Sequence, residues 1–82
     1  MLDKETALRR ITVDRQALLG KPTIRGLRIS VEQILTALAA GVPVEDLLQD
    51  YPELEQADIQ AALIYAAQLV SEEQVFPVEA TS

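Results

Sequence analysis

The sequence predicts a mainly α-helical domain: a trihelical bundle of helix-turn-helix outline, preceded by a short N-terminal β-element. Three observations carry this prediction. Residues 10–29 contain short segments in which apolar and polar side chains alternate, as in half-buried strands. Residues 30–40 repeat apolar side chains at helical spacing behind a capping signal. Two further helical segments follow, separated by short turns that contain proline. We expect a single domain over residues 1–82, divided into β-element and arm (1–29), bundle (30–72) and irregular tail (73–82).

The first third of the chain favours short strands over helix. We expect residues 1–10 to be loosely ordered, because their apolar side chains follow no clear period. The segment RITVD at 10–14 alternates as a half-buried strand does. Arg25-Gly26 fits a two-residue turn, since glycine readily adopts a positive φ. The chain should then return as a second strand with Arg28 facing solvent.

Three helices are predicted from residue 30 onward. Ser30 is a good N-cap and Gln33 completes a capping-box pattern, so the first helix should begin at residue 31 and end before Gly41. The second should run from about Val44 to Asp50, between two prolines that set its limits. The third should run from about Gln56 to Glu72. Its predicted core stripe consists of Ile59, Leu63, Ala66 and Val70.

Composition excludes several kinds of chemistry. The 82 residues include neither Cys nor His, which removes disulfides, thiolate nucleophiles, the commonest general base and the commonest metal ligand. We therefore expect no enzymatic activity, no cofactor and no metal site. The longest run without charged or strongly polar residues, Ala61–Ala67, is far shorter than the roughly 20 residues of a membrane helix. No secretory signal opens the chain, so we expect a cytoplasmic protein without membrane association.

Charge is divided unevenly along the chain, whose net charge is −6. Residues 1–28 carry all seven basic side chains and three acidic ones, whereas residues 29–82 carry ten acidic side chains and no basic one. Two parts of a chain with such different net charges either attract each other or face different partners.

Four segments within residues 10–67 resemble the bacterial domain-of-unknown-function family 433: RITVD, GKPTIRGLRISV, ILTALAAGVPVEDLLQDYPEL and DIQAALIYAA. The resemblance implies a winged-helix-like or homeodomain-like trihelical fold. Some members are similar to VapB-type antitoxins, which are encoded beside PIN-like nuclease toxins. The family resemblance therefore implies an antitoxin or small regulator that binds DNA, a toxin, or both. Leu19 departs from the family pattern, which usually has glycine there, and Glu55 replaces a threonine N-cap.

The helix predicted over residues 56–72 would be the recognition helix of a helix-turn-helix protein. Such a helix presents polar and basic side chains near its N-terminus to the major groove, and much of the affinity comes from Lys and Arg at phosphates. This helix instead begins near Glu55 and Asp58, with Gln56 and Gln60 as candidate base readers. Its charge disfavours groove reading.

The basic side chains are the candidate binding residues, and three roles remain open for them. Those of the GKPTIRGLR segment could pair with acids such as Glu45, Asp50 or Glu53 and tie the β-element to the bundle. They could instead contact DNA phosphates, with an N-terminal arm adding further cations. They could also enter the acidic metal site of a PIN-like nuclease, where a guanidinium neutralises carboxylates. The residues are Lys21, Arg25 and Arg28, with Arg9, Arg10 and Arg15 in the arm.

Self-association is predicted from the middle of the third helix, which is apolar on every side between Ala61 and Ala67. One stripe suffices for packing on the other two helices, so Ile64 and Tyr65 are the candidate contacts of a homodimer, unless the β-element covers them. The tail, with Val75, Phe76 and Val78 between acids, either folds onto a partner or remains a frayed end or strap. The predicted function is antitoxin-like regulation through a PIN-like toxin, DNA or both. The alternative is a dimeric protein-interaction module without DNA binding.

Overall fold

The computed structural model describes residues 3–16 and 18–72. Within them the chain is mainly helical, with four helices and one two-stranded antiparallel sheet near the N-terminus. None of these helices combines the length and the apolar content that crossing a membrane requires. The predicted tail at 73–82, with Val75, Phe76 and Val78, lies outside the described residues. The elements in chain order are α1 (Lys4–Leu8), β1 (Ile11–Val13), a 3₁₀ turn (Leu18–Gly20), β2 (Pro22–Ile24), α2 (Val31–Ala39), α3 (Val44–Asp50) and α4 (Gln56–Glu72).

Helix α1 lies where we expected loosely ordered chain, so that prediction is wrong. The Asp3 carboxylate caps it by accepting a hydrogen bond from the Thr6 amide at 2.7 Å. A five-residue helix is not stable alone and depends on tertiary packing. Helix α1 packs against α4, and Ala7 of α1 and Ala61 of α4 are both fully buried. One buried alanine is too little to create a periodic apolar pattern.

The β-element is a hairpin followed by a short return of the chain. Strands β1 and β2 pair antiparallel with Ile11 opposite Ile24. The turn predicted at Arg25-Gly26 is confirmed: their φ angles are +45° and +74°, and the Leu27 amide donates to the Ile24 carbonyl oxygen at 2.7 Å. The second strand predicted after the turn is reduced to an isolated bridge next to β2.

Helices α2, α3 and α4 occupy the predicted segments, because their ends carry local signals. The capping box of α2 is complete: the Gln33 main-chain N–H donates to Ser30 Oγ, and the Ser30 main-chain N–H donates to the Gln33 side-chain Oε1, both at 2.9 Å. Helix α2 ends at Ala39; Gly41 follows its C-cap with φ +89°, and the Val42 main-chain amide donates to the Ala37 carbonyl oxygen at 3.0 Å.

The core is built from the hairpin, the chain after it, and α2, α3 and α4. Its buried members are Ile24, Ile29, Val31, Ile34, Leu47, Leu54, Ile59 and Ala62.

The core stripe predicted for α4 is wrong at Leu63 and Val70, which are 49% and 65% exposed. Helix α4 is covered by α1 as well as by α2 and α3. The buried face of α4 therefore includes Ala61 and Ala62.

Candidate functional site

Asp58 is a fully buried carboxylate in the first turn of α4. Its Oδ2 accepts a hydrogen bond from the Glu55 amide at 2.9 Å, and its own amide donates to the Glu55 carbonyl oxygen at 2.8 Å. Asp58 thus satisfies an amide that helix geometry leaves without a partner.

Arg25 holds Asp58 from the Arg25-Gly26 turn, which follows β2. Its Nη2 donates to Asp58 Oδ2 at 2.9 Å, and its Nε donates to Oδ1 at 3.1 Å and to Oδ2 at 3.3 Å. The same Nη2 donates to the Glu53 carbonyl oxygen at 2.7 Å. At the other end of the residue, the Arg25 amide donates to the Arg10 carbonyl oxygen at 2.8 Å. Arg25 is therefore fixed through both its main chain and its side chain.

Arg10 completes the arrangement from the segment between α1 and β1. Its Nη1 donates to Asp58 Oδ1 at 2.9 Å and to Glu55 Oε1 at 2.8 Å. We call Arg10, Arg25, Glu55 and Asp58 the Asp58 cluster. The Arg10 and Arg25 side chains remain 28% and 35% exposed, whereas Asp58 has no exposed surface. The four formal charges cancel.

The hydrogen bonds of the cluster favour the ionised forms of Asp58, Arg10 and Arg25. Burial alone would raise the pKa of Asp58, but hydrogen bonds from Arg25, the Glu55 amide and Arg10 outweigh burial and hold that pKa below its ordinary value of 3.8. Hydrogen bonds to Glu55 and Asp58 raise the pKa of Arg10, and the hydrogen bonds to Asp58 raise that of Arg25. Arg10, Arg25 and Asp58 are thus fixed charges at neutral pH.

The structure corrects the sequence interpretation of Asp58. The sequence argument against groove reading counted Asp58 as an outward-facing acid that would repel phosphates, but Asp58 faces inward and two guanidinium groups compensate its charge. The pairing role proposed for Arg25 is present, although its carboxylate partner is Asp58 rather than Glu45, Asp50 or Glu53. The sequence did contain a signal that Asp58 faces the start of α4, because an acid in the third position of a helix often caps the helix start.

Two other predicted binding residues take part in exposed ion pairs. Lys21 Nζ lies 2.7 Å from Glu32 Oε1, and this hydrogen bond lowers the pKa of Glu32. Arg9 Nη2 lies 3.0 Å from Glu5 Oε1, one turn away along the chain. Exposed pairs of this kind contribute about 0–1 kcal/mol to stability. They leave both cations accessible to a stronger partner.

Arg15 and Arg28 are exposed and form no ion pair within residues 3–16 and 18–72. Arg28 follows the Arg25-Gly26 turn, whereas Arg15 lies beside Gly20, at the end of the sheet where β2 begins. The two side chains therefore do not form one basic patch.

The remaining predicted contact residues all lie on α4. Gln56 and Gln60, the candidate base readers, are exposed. Ile64 and Tyr65, the candidate dimer contacts, are half-buried, and Tyr65 packs against the core.

Comparison with known proteins places the chain within a recognised sequence family. A family model described as "Protein of unknown function (DUF433)" matches residues 11–66, a range that includes Arg25 and Asp58 and begins one residue after Arg10. The chain is similar to "Uncharacterized protein y4eO" of Sinorhizobium fredii (strain NBRC 101917 / NGR234), with 38% identity over 66 residues. That match covers 79% of this chain and 30% of the relative, so the chain spans less than a third of the relative's length. No solved structure matches the chain.

Proposed function

The chain belongs to the DUF433 family, and we propose that it is a non-catalytic, antitoxin-like regulator that binds a protein partner and does not read DNA through α4. In this proposal α2, α3 and α4 form a helix-turn-helix-like unit that serves as a scaffold. The observation that carries the proposal is the Asp58 cluster, because it engages two of the basic side chains that DNA binding would need.

Electrostatics at the start of α4 supports this choice. The charges of the Asp58 cluster cancel, Glu53 adds an exposed carboxylate, and no basic residue follows Arg28 in the sequence. Affinity for DNA depends largely on Lys and Arg at phosphates, and contacts to bases alone supply little of it. Gln56 and Gln60 are accessible to base edges, yet no cation in the described part of α4 would hold them in a groove.

Arg28 is the contact that we assign to the protein partner. It is exposed beside a turn whose conformation is fixed through Arg25, and it has no ion pair among the described residues. A guanidinium presents a planar fork of N–H donors that matches a carboxylate. The family resemblance suggests a PIN-like nuclease as the partner. In such a complex, Arg28 would neutralise carboxylates of the nuclease metal site.

The first experiment measures binding to a PIN-like nuclease encoded beside this gene, by titration calorimetry. One charge-assisted contact is worth about 1.5–3 kcal/mol, so Arg28→Ala should weaken binding roughly 10- to 100-fold. Arg9→Ala is the matched control, because it removes another exposed guanidinium, one that takes part in a weak surface pair. Equal affinities for the wild type and Arg28→Ala would contradict the assigned contact. No binding by the wild type would contradict the partner.

The second experiment is a gel shift with the DNA upstream of the gene, over a series of salt concentrations. We expect no sequence-specific binding at physiological salt. Tight binding that falls steeply with salt and is lost in Gln56→Ala/Gln60→Ala would instead support a DNA-binding regulator. Arg25→Ala is unsuitable here, because it would leave Asp58 short of a partner and change the fold rather than the contact.

A further inference from the structure

Arg28 lies in a short loop whose two ends are held together. The loop comprises residues 25–28 and joins Ile24 to Ile29, both of which are buried in the core. The Ile24 amide donates to the Ile29 carbonyl oxygen at 3.0 Å. We call residues 25–28 the Arg28 loop. Because this loop is so short, an interaction that fixes Arg25 at its start also restricts Arg28 at its end.

The backbone of the Arg28 loop takes a conformation that its first residue disfavours. Arg25 has φ +45° and Gly26 has φ +74°. Glycine adopts a positive φ without steric cost, whereas in an arginine the Cβ then comes too close to the backbone. Turns with two positive φ angles ordinarily carry Asn, Asp or Gly at the first of the two positions. We therefore looked for a compensating interaction of the Arg25 side chain.

Asp58 supplies that interaction. Its carboxylate accepts hydrogen bonds from Nε and Nη2 of Arg25, the shortest at 2.9 Å. The same carboxylate is held in place by the Glu55 amide and the Arg10 guanidinium. Leu27 adds apolar packing against the core. The polar attachment of the Arg28 loop to α4 therefore depends on the buried carboxylate of Asp58.

We propose that Asp58 is a positioning residue for Arg28, which acts through Arg25 by holding the Arg28 loop in the conformation that binds the partner. This inference rests on the proposed function, in which Arg28 contacts a carboxylate of the protein partner. A loop that is ordered before binding loses little conformational entropy in the complex, whereas a loosened loop has to be ordered at the expense of affinity. The Asp58 side chain has no exposed surface, so it influences binding without touching the partner.

Titration calorimetry with the PIN-like nuclease encoded beside this gene tests the proposal. Asp58→Asn should weaken binding roughly 5- to 30-fold, because ordering the backbone of a single residue has a cost of that size. The same substitution should have no further effect in the Arg28→Ala variant, because the loop then carries no contact to position. An Asp58→Asn effect of equal size with and without Arg28 would overturn the proposal, as would an unchanged affinity.

Leu47→Ala is the control for lost stability. Leu47 is buried on α3, outside the Arg28 loop and the Asp58 cluster, so its replacement weakens the core without removing the attachment of the loop. After correction for the unfolded fraction measured by circular dichroism, Leu47→Ala should bind with wild-type affinity. If it weakens binding as much as Asp58→Asn does, Asp58 has only a structural role and the proposal fails. Arg25→Lys, which keeps the charge but removes the planar fork, replaces Asp58→Asn if the latter does not fold.

A measurement on the free protein separates this proposal from the choice of partner. Nitrogen-15 relaxation gives the order parameters of the backbone amides in the Arg28 loop. At Gly26 we expect about 0.85 in the wild type and in Leu47→Ala, but less than about 0.6 in Asp58→Asn. Equal order parameters in the wild type and Asp58→Asn would overturn the proposal. A wild type that does not bind the nuclease contradicts the partner instead, and the order parameters then decide alone whether Asp58 positions the loop.

Discussion

Replacing Asp58 with asparagine tests the energetic role of the Asp58 cluster. Asparagine keeps the size of the side chain but removes its charge, so Arg10 and Arg25 lose their shared buried counter-ion. Breaking a buried ion pair typically costs about 3–5 kcal/mol. Both arginines are partly solvated and can recover hydration, so we expect a loss near the lower limit, about 3 kcal/mol. A domain of this length has a total stability of only about 4–12 kcal/mol.

Urea unfolding at pH 7, followed by far-ultraviolet circular dichroism, measures this loss. Glu55→Gln is the matched control, since it makes the same acid-to-amide change in the same cluster on a side chain that is 61% exposed. We expect the control to cost less than about 1 kcal/mol. If Asp58→Asn costs no more than Glu55→Gln, the cluster does not hold the hairpin to α4 and the reasoning fails.

Three further predictions concern stability. Folding lowers the pKa of Asp58, so the contribution of Asp58 to the free energy of unfolding is complete above pH 3.8 and is lost as the pH falls through the folded pKa. The difference in the free energy of unfolding between the wild type and Asp58→Asn, measured in urea, should therefore shrink below about pH 4. A difference that stays constant down to about pH 2 would contradict this expectation. Leu19 has φ +59° and is 95% exposed, so Leu19→Gly should raise stability by up to about 1 kcal/mol; a lower thermal midpoint would oppose that account. Ser30→Ala removes half of a capping box and should cost about 1 kcal/mol, with an unchanged urea midpoint as the contrary result.

The helices of the bundle could be predicted from the sequence because their limits are set locally. Ser30 and Gln33 define the start of α2, Gly41 ends it, and prolines bracket α3. The Arg25-Gly26 turn was equally predictable, because Gly26 supplies a positive φ. In each case the deciding atoms lie within a few residues of one another.

The Asp58 cluster could not be predicted in the same way, because its partners are distant in sequence. Arg25 and Arg10 lie 33 and 48 residues from Asp58. Assigning the wrong face of α4 to the core explains two errors at once: Leu63 and Val70 are exposed, and Asp58 is buried. A core stripe through Leu63 and Val70 points Asp58 outward, whereas turning α4 by about one residue, or 100°, buries Asp58 and exposes both apolar side chains. The cause is α1, whose contact with α4 left no periodic signal in the sequence.

We propose that Arg25 is a structural residue and not a ligand for nucleic acid. The most direct measurement is nuclear magnetic resonance of the arginine Nε–Hε groups, first in the protein alone and then during titration with duplex DNA at low salt. We expect the Arg25 Hε to exchange slowly with water and to keep its chemical shift as DNA is added. An Arg25 Hε that exchanges as fast as that of Arg28 and shifts on adding DNA would contradict the account.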